Sequence, residues 1–203
     1  MRIEDGSGNG YSAAVFSNHR LLVDADSHDS IITAATDGKA FRFCTGLITL
    51  TSASPSGILY VRNNEAANLI ISEIVVRMNQ STGGANGVGL WEIFRNPTTG
   101  TLISGALAPA TRANTNFGSS FSIIADVFKG VEGATITDGT VYAAVNGLTV
   151  PQRVFLIETA GVIVPRGTSI AVRYTPPAGN TSIVITTEIG AYLNSETFAS
   201  KSA

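Results

Sequence analysis

The chain has 203 residues, a formal net charge of −2, 44% hydrophobic residues and 14% charged ones. A near-neutral chain without a basic run does not build the phosphate-neutralising surface that nucleic-acid binding needs, so no nucleic acid is expected as a partner. No stretch approaches the ~18 consecutive apolar residues of a membrane helix and residues 1–11 hold no apolar secretory core, so no membrane is expected either.

The charged fraction is well below the roughly one quarter of an average soluble domain, which points to a surface covered by other subunits. Ten of the thirteen basic residues are arginine, a bias that suits bidentate contacts at protein interfaces and that codon usage explains equally well. A lone Cys44 leaves no internal disulfide, so packing alone must hold the fold.

Residues 1–35 read as an N-terminal arm: Gly6, Gly8 and Gly10 are clustered, Asp24, Asp26 and Asp29 are close together, and the apolar residues come in short pieces. Within it, 11–16 and 21–23 have the composition of short strands separated by a turn at Ser17-Asn18-His19. A β domain over 36–194 is expected to start at the turn signal Asp37-Gly38, with a tail over 195–203.

Its first strands are 40–45 and 47–51, broken at Gly46. Residues 57–78 read as a hairpin: 58–63 and 69–78 are rich in β-branched residues and flank the polar segment 63–68. Alternation along the second strand puts Ile70, Ile74, Val76 and Met78 on a core face, interrupted by Ser72, and Leu69, Ile71, Glu73, Val75 and Arg77 on a mixed face.

Residues 88–95 form a strand holding the only tryptophan, Trp91, and 96–100 a turn, with 101–103 expected to begin a return strand. From 104 to 120 the sequence is small, polar and aperiodic apart from Leu107, Pro109 and Phe117. That is long for a connection, and it reads as a loop for subunit contact. Residues 121–128 fit a strand or one helical turn.

Further strands are expected at 141–145, 153–158, 162–164, 169–175 and 182–193. In the last pair Ile170, Val172 and Tyr174 share one face, as do Ile183, Ile185 and Ile189. No amphipathic helical run of about three turns occurs. The fold class is therefore all-β, a jelly-roll-like two-sheet β-sandwich with an extended N-terminal arm. An echo of Thr36-Asp37-Gly38 at Thr137-Asp138-Gly139, each followed at the same spacing by Gly-Leu, reads as a reused turn into a strand rather than a duplication.

Signals for chemistry are weak, and no catalytic residue, metal site or cofactor is expected. His19 and His28 lie in the arm outside any motif that pairs a base with a nucleophile. Cys44 on a strand reads as a small buried thiol. Asp24, Asp26, His28 and Asp29 alternate as calcium ligands do, but without the glycine and distal glutamate of a calcium loop they read as a solvated acidic turn. Gly6-x-Gly8-x-Gly10 has no strand before it and no helix after it, so it is a hinge rather than a dinucleotide fingerprint. Glu65, Glu73, Glu92, Glu158 and Glu188 supply carboxylates, but their spacing selects no pair for glycoside hydrolysis. Trp91 with Tyr60 or Tyr192 has the chemistry to stack on a sugar, although a single tryptophan in an apolar strand is more often core.

Asp5-Gly6-Ser7-Gly8-Asn9-Gly10-Tyr11-Ser12-Ala13 followed by Asn18-His19-Arg20-Leu21 resembles the arm that opens many virion structural proteins of tailed bacteriophages. Thr45-Gly46-Leu47-Ile48-Thr49-Leu50, Leu59-Tyr60-Val61-Arg62-Asn63-Asn64, Leu69-Ile70-Ile71 and Arg95-Asn96-Pro97-Thr98 resemble the body of the same proteins, the capsid decoration (cement) and head-fibre-base proteins. The resemblance implies a jelly-roll or related β fold that binds the outside of an assembled head. With it go a place on the capsid exterior of the virion after synthesis in the host bacterial cytoplasm and the major capsid protein as partner; the chain departs from a fibre in having no collagen-like, coiled-coil or repeated β segment after the domain.

Homo-oligomers, as trimers or dimers, are expected. The arm residues Tyr11, Val15, Phe16, Arg20 and Leu22 are expected at the capsid contact, because such short apolar pieces have no core of their own. The alternative is a carbohydrate- or receptor-binding module on the head or tail, using Trp91 and the loops 79–87 and 104–120.

Overall fold

The computed structural model describes residues 2–4, 12–14, 30–82, 87–148, 152–179 and 182–194. Two short strands, β1 (Arg2–Glu4) and β2 (Ser12–Ala14), pair with each other in antiparallel fashion. A two-turn helix, α1 (Ser30–Thr36), ends in a turn whose Gly38 takes φ +69°. It packs on the two strands β3 (Ala40–Cys44) and β13 (Ser182–Asn194) and buries Ala34, so the end of the segment read as an arm rests on the sandwich.

The remaining strands are β4 (Ile48–Leu50), β5 (Ser56–Asn63), β6 (Asn68–Thr82), β7 (Val88–Arg95), β8 (Thr111–Asn114), β9 (Ala125–Lys129), β10 (Thr140–Leu148), β11 (Gln152–Val164) and β12 (Ser169–Thr175). They form two antiparallel sheets. One runs β10-β7-β12-β5-β9; the other runs β11-β6-β13-β3-β8, with β4 also on β13.

Pairing proceeds from first with last inward: β3 with β13, β5 with β12, β6 with β11 and β7 with β10. A ribbon of four such strand pairs, folded back on itself and wound so that successive strands enter opposite sheets, is a jelly roll. The all-β, jelly-roll-like two-sheet sandwich read from the sequence is the one observed; most of the expected N-terminal arm lies outside the described residues.

The core lies between the sheets and draws on both: Leu59, Trp91, Ile93, Val172 and Tyr174 from one, Phe43, Ile74, Val76, Ile183, Ile185 and Ile189 from the other. The rows Ile170/Val172/Tyr174 and Ile183/Ile185/Ile189 both face it, as period-2 alternation requires.

Five local expectations are corrected. Residues 57–78 are not a hairpin, since β5 and β6 belong to opposite sheets. The polar turn between them is tied by Asn63, whose Nδ2 donates to the carbonyls of Ala67 (2.8 Å) and Val164 (2.9 Å) and whose Oδ1 accepts from the Glu65 amide. A short polar turn serves a sheet-to-sheet crossover as well as a hairpin, and two neighbours with buried faces decide between them.

The faces of β6 are also different from simple alternation. The register slips on both neighbours between Ile71 and Glu73, a bulge at Ser72 that resets the phase. Leu69 and Ile71 thereby join Ile74, Val76 and Met78 in the core.

Residues 101–103 form a turn rather than a strand. The long connection from β7 to β10 is not a free loop either. It contributes β8 to one sheet and β9 to the other, closing one lateral side of the sandwich. Its Leu102, Ala134 and Ile136 cover the outer face of the β5/β12/β7 sheet, where Tyr60, Phe94 and Ala171 form a second small core with them. The approach is close at Gly130, where a Cβ would stand 1.7 Å from the carbonyl oxygen of Gly57. The segments read as strands at 153–158 and 162–164 are one strand, β11, with a register shift where the break was expected.

Candidate functional site

The five residues expected at a capsid contact, Tyr11, Val15, Phe16, Arg20 and Leu22, lie outside the described residues, as do His19, Asp24, Asp26, His28, Asp29 and the tail 195–203. Of the expected arm, β2 (within the expected strand at 11–16), its partner β1, and residues 30–35 in α1 are placed. Among the described residues no group of three or more His, Cys, Asp or Glu side chains is disposed to hold a metal.

Trp91 is fully buried (0% exposed) and packs against Tyr174 with ring centroids 4.2 Å apart. Tyr60 is buried in the outer layer, stacked on Phe128. The sugar-stacking platform therefore loses Trp91, which is core, and Tyr60; Tyr192 is half-buried on β13. Cys44 is half-buried on β3 rather than buried, and its Sγ accepts from the Gly46 amide at 3.4 Å.

Two of the glutamates do come together. On the outer face of the β6/β13/β3 sheet, Arg42 contacts Glu73 and reaches Glu188 at 3.9 Å, and Glu188 also bonds Arg77. The register explains why: Gly190 on β13 lies between Arg42 on β3 and Glu73 on β6. A Cβ there would stand 2.9 Å from Glu73 Cγ, so the glycine lets the two charges meet across the strand. Both carboxylates are held by guanidinium groups on an open sheet face, an arrangement suited to fixing strands rather than to acid–base chemistry. Glu92 is elsewhere, on the other sheet, bonded to Arg173 at 2.7–2.8 Å, and Glu65 accepts from the Ile124 amide.

Exposed apolar side chains stand at both lateral sides of the described residues. On the side closed by β8, the turn after Asn114 raises Phe117 wholly into solvent (98% exposed). The loop beneath it is tied at every step. Asn114 Nδ2 donates to the carbonyls of Gly38 (2.6 Å) and Phe121 (3.2 Å), and its Oδ1 accepts from the Asn116 amide (2.9 Å). Asn116 Nδ2 donates to Thr36 O (3.0 Å) and its Oδ1 accepts from Gly118 N (3.0 Å). Asparagine favours such turns because its carboxamide mimics a peptide group. The result is an exposed aromatic on a pinned base.

On the opposite side, β10 and β11 are the outermost strands of the two sheets. Between them and the β11–β12 turn lies a cavity of about 260 Å3, lined chiefly by Ile93, Phe94, Tyr142, Ile163, Val164 and Ile170. Tyr142 is the extra residue of a bulge on β10, where Val141 pairs Phe94 and Ala143 pairs Ile93. Bulges re-aim side chains, and this one sets Tyr142 at the rim, 55% exposed, facing Ile163 at 52%.

The floor is fixed by Asn96. It takes the left-handed conformation (φ 50°) and bonds Ser169 twice, its amide donating to Ser169 O (2.9 Å) and its Oδ1 accepting from Ser169 N (3.1 Å). Arg95 lines the same cavity with no hydrogen bond or ion pair from its guanidinium to another described residue.

Sequence reading singled out Phe117 only as an exception within a polar loop, and it missed the cavity. A lone phenylalanine among Asn, Gly and Ser is a legible signal. A cavity whose walls come from three strands and a turn has no signature in any one of them.

Comparison with protein-family models, with curated proteins and with solved structures finds no match to this chain.

Proposed function

We propose that this is a non-enzymatic structural protein of a bacteriophage particle that binds the outer surface of the head and stabilises the capsid. In this reading the N-terminal arm lies on the major capsid protein and the sandwich stands on the outside of the virion as a dimer or trimer. Each copy bridges neighbouring capsomers, so separating them requires breaking an added interface. A contact of standard size, ~1,600 Å2, is enough for specific attachment, and repetition over a shell multiplies it.

The observation that carries the reading is the union of the arm motif at residues 5–13 and 18–21, which resembles phage virion proteins, with a jelly-roll body. That body displays a pinned, fully exposed aromatic. A rigid body with exposed apolar anchors favours protein contact over chemistry.

The test is binding to heads that lack the protein. A chain without residues 1–35 is expected to lose head binding; undiminished binding by a folded truncation removes the arm as anchor. The number of copies per particle tests the role itself. Hundreds support a capsid cement, whereas a handful indicate an adaptor or a receptor-binding module.

A further inference from the structure

Phe117 and the β10/β11 cavity are complementary, and they lie on opposite lateral sides of one molecule. The knob is an aromatic ring held clear of its own protein by a hydrogen-bonded loop. The hole has a volume of about 260 Å3 and mostly aliphatic and aromatic walls. A dry apolar cavity of about 150 Å3 already accepts a benzene molecule, so a benzyl side chain fits here with room for its flanks.

The knob cannot fill the hole of its own chain. β8 and β11 are separated by β3, β13 and β6, roughly 19 Å at the usual strand spacing.

We infer that Phe117 of one copy seats in the β10/β11 cavity of the next, so that the chain associates with itself head to tail. The register places the two features at one level of the sandwich. The Thr115 amide, two residues before the knob, donates to Ala40 O. Ala40 pairs with Tyr192, Tyr192 with Ile70 and Ile70 with Ile163 at the cavity rim. The contact thus repeats along a single cross-sheet row. Arg95, without a partner among the described residues, supplies donors at the cavity for oxygens of the incoming Phe117 loop.

Because one patch meets a different patch, the interface is heterologous, and copies close into a ring or extend as a chain. This deepens the homo-oligomer part of the proposed function and rests on it, but head attachment plays no part, so the two fail separately.

The test is sedimentation of the free full-length protein over a range of concentrations. The wild type is expected to show species heavier than a monomer. Phe117→Ala removes the knob, and Ile163→Lys places a charge in the hole; each is expected to weaken association roughly 30-fold or more, as loss of an aromatic anchor does. Both positions are more than half exposed, so folding is expected to persist, checked by circular dichroism. If Ile163→Lys fails that check, Tyr142→Lys takes its place.

An equimolar mixture of the two variants is decisive. The first keeps its hole and the second its knob, so the mixture is expected to form one-to-one pairs and nothing larger. A wild type that stays monomeric, a Phe117→Ala protein with wild-type mass, or a mixture that does not pair each overturns the inference.

Discussion

At the scale of single residues, two buried polar atoms stand out. Trp91 Nε1 and the Tyr174 hydroxyl are both buried without a protein hydrogen-bond partner. Burial pushes the Tyr174 hydroxyl well above its ordinary pKa, and its end rests on Gly89, where a Cβ would come within 2.1 Å of it. An orphaned buried hydroxyl costs free energy that an isosteric ring does not. Tyr174→Phe is therefore expected to leave stability unchanged or raise it by about 1 kcal/mol. Tyr174→Ala, which opens a cavity beside Trp91, is expected to cost about 3–5 kcal/mol. Denaturant titration followed by Trp91 fluorescence measures both, and a clear loss in the phenylalanine variant refutes the first.

Asp138 carries the opposite lesson, that of a fully satisfied carboxylate. It accepts from the amides of Thr98 (2.8 Å) and Thr99 (2.9 Å) and from the Thr98 hydroxyl, and the Thr98 hydroxyl bond, followed by the Thr99 amide, holds its pKa at about 2 against an ordinary 3.8. Glu132 is lowered in the same way by the Thr51 and Ser52 contacts. A depressed carboxylate stabilises above its unfolded pKa, and that contribution is lost as pH falls through the folded value. Acid sensitivity from this site therefore falls between pH 3.8 and about 2. Asp138→Asn is expected to make the thermal midpoint less steep in pH across that window. An unchanged slope would show that the carboxylate does not act there.

At the scale of elements, partner identity matters more than composition. Arg173 on β12 faces Glu92 on β7 in direct register, bonds it, and lies 4.5 Å from the centre of the Phe94 ring. The pair is mostly buried, so removing one member strands the other. Arg173→Ala is expected to cost about 2–3 kcal/mol, less than a fully buried pair because the arginine is partly solvated. Arg173→Met with Glu92→Leu is expected to restore most of it. A double variant as unstable as the single one would show that the cost is lost packing on Phe94.

The same distinction explains what could be read in advance. Strands β7 and β12, with apolar alternation between strong turns, were legible to their ends, and so was the all-β sandwich. β8, with the sequence TRAN, has no strand composition; it exists because β3 offers it an open edge, which no local pattern reports. The Ser72 bulge was invisible for a related reason. Ser72 was read as an interruption of a face, when it is the residue that exchanges the faces. The turn echo at Asp37-Gly38 and Asp138-Gly139 was legible in geometry, since both glycines take positive φ before a strand. The cavity and the charged face of Arg42, Glu73 and Glu188 depend on register between distant strands, and so became visible only with the fold.

At the scale of the whole molecule, the winding order sets the cooperativity. β13 is the last strand among the described residues, yet it sits at the centre of its sheet with β6 on one side and β3 and β4 on the other. Thr45 and Thr187, 142 positions apart, bond each other through the Thr187 amide and the Thr45 hydroxyl. Until β13 is present, β3, β4 and β6 have no partner between them, and the core rows from Ile183 to Ile189 are missing. Partial order is therefore not expected to be stable. A chain ending at Gly179 is expected to show no cooperative unfolding transition, whereas the full chain unfolds with far-ultraviolet dichroism and Trp91 fluorescence coincident. Long-range pairing of this kind also folds slowly, because loop-closure entropy is lost before most contacts form. Refolding of the full chain is expected on the order of seconds rather than microseconds. A truncated chain that melts cooperatively, or a full chain that refolds within microseconds, would mean that the β5/β12/β7 sheet and its covering layer fold without waiting for the central strand of the other.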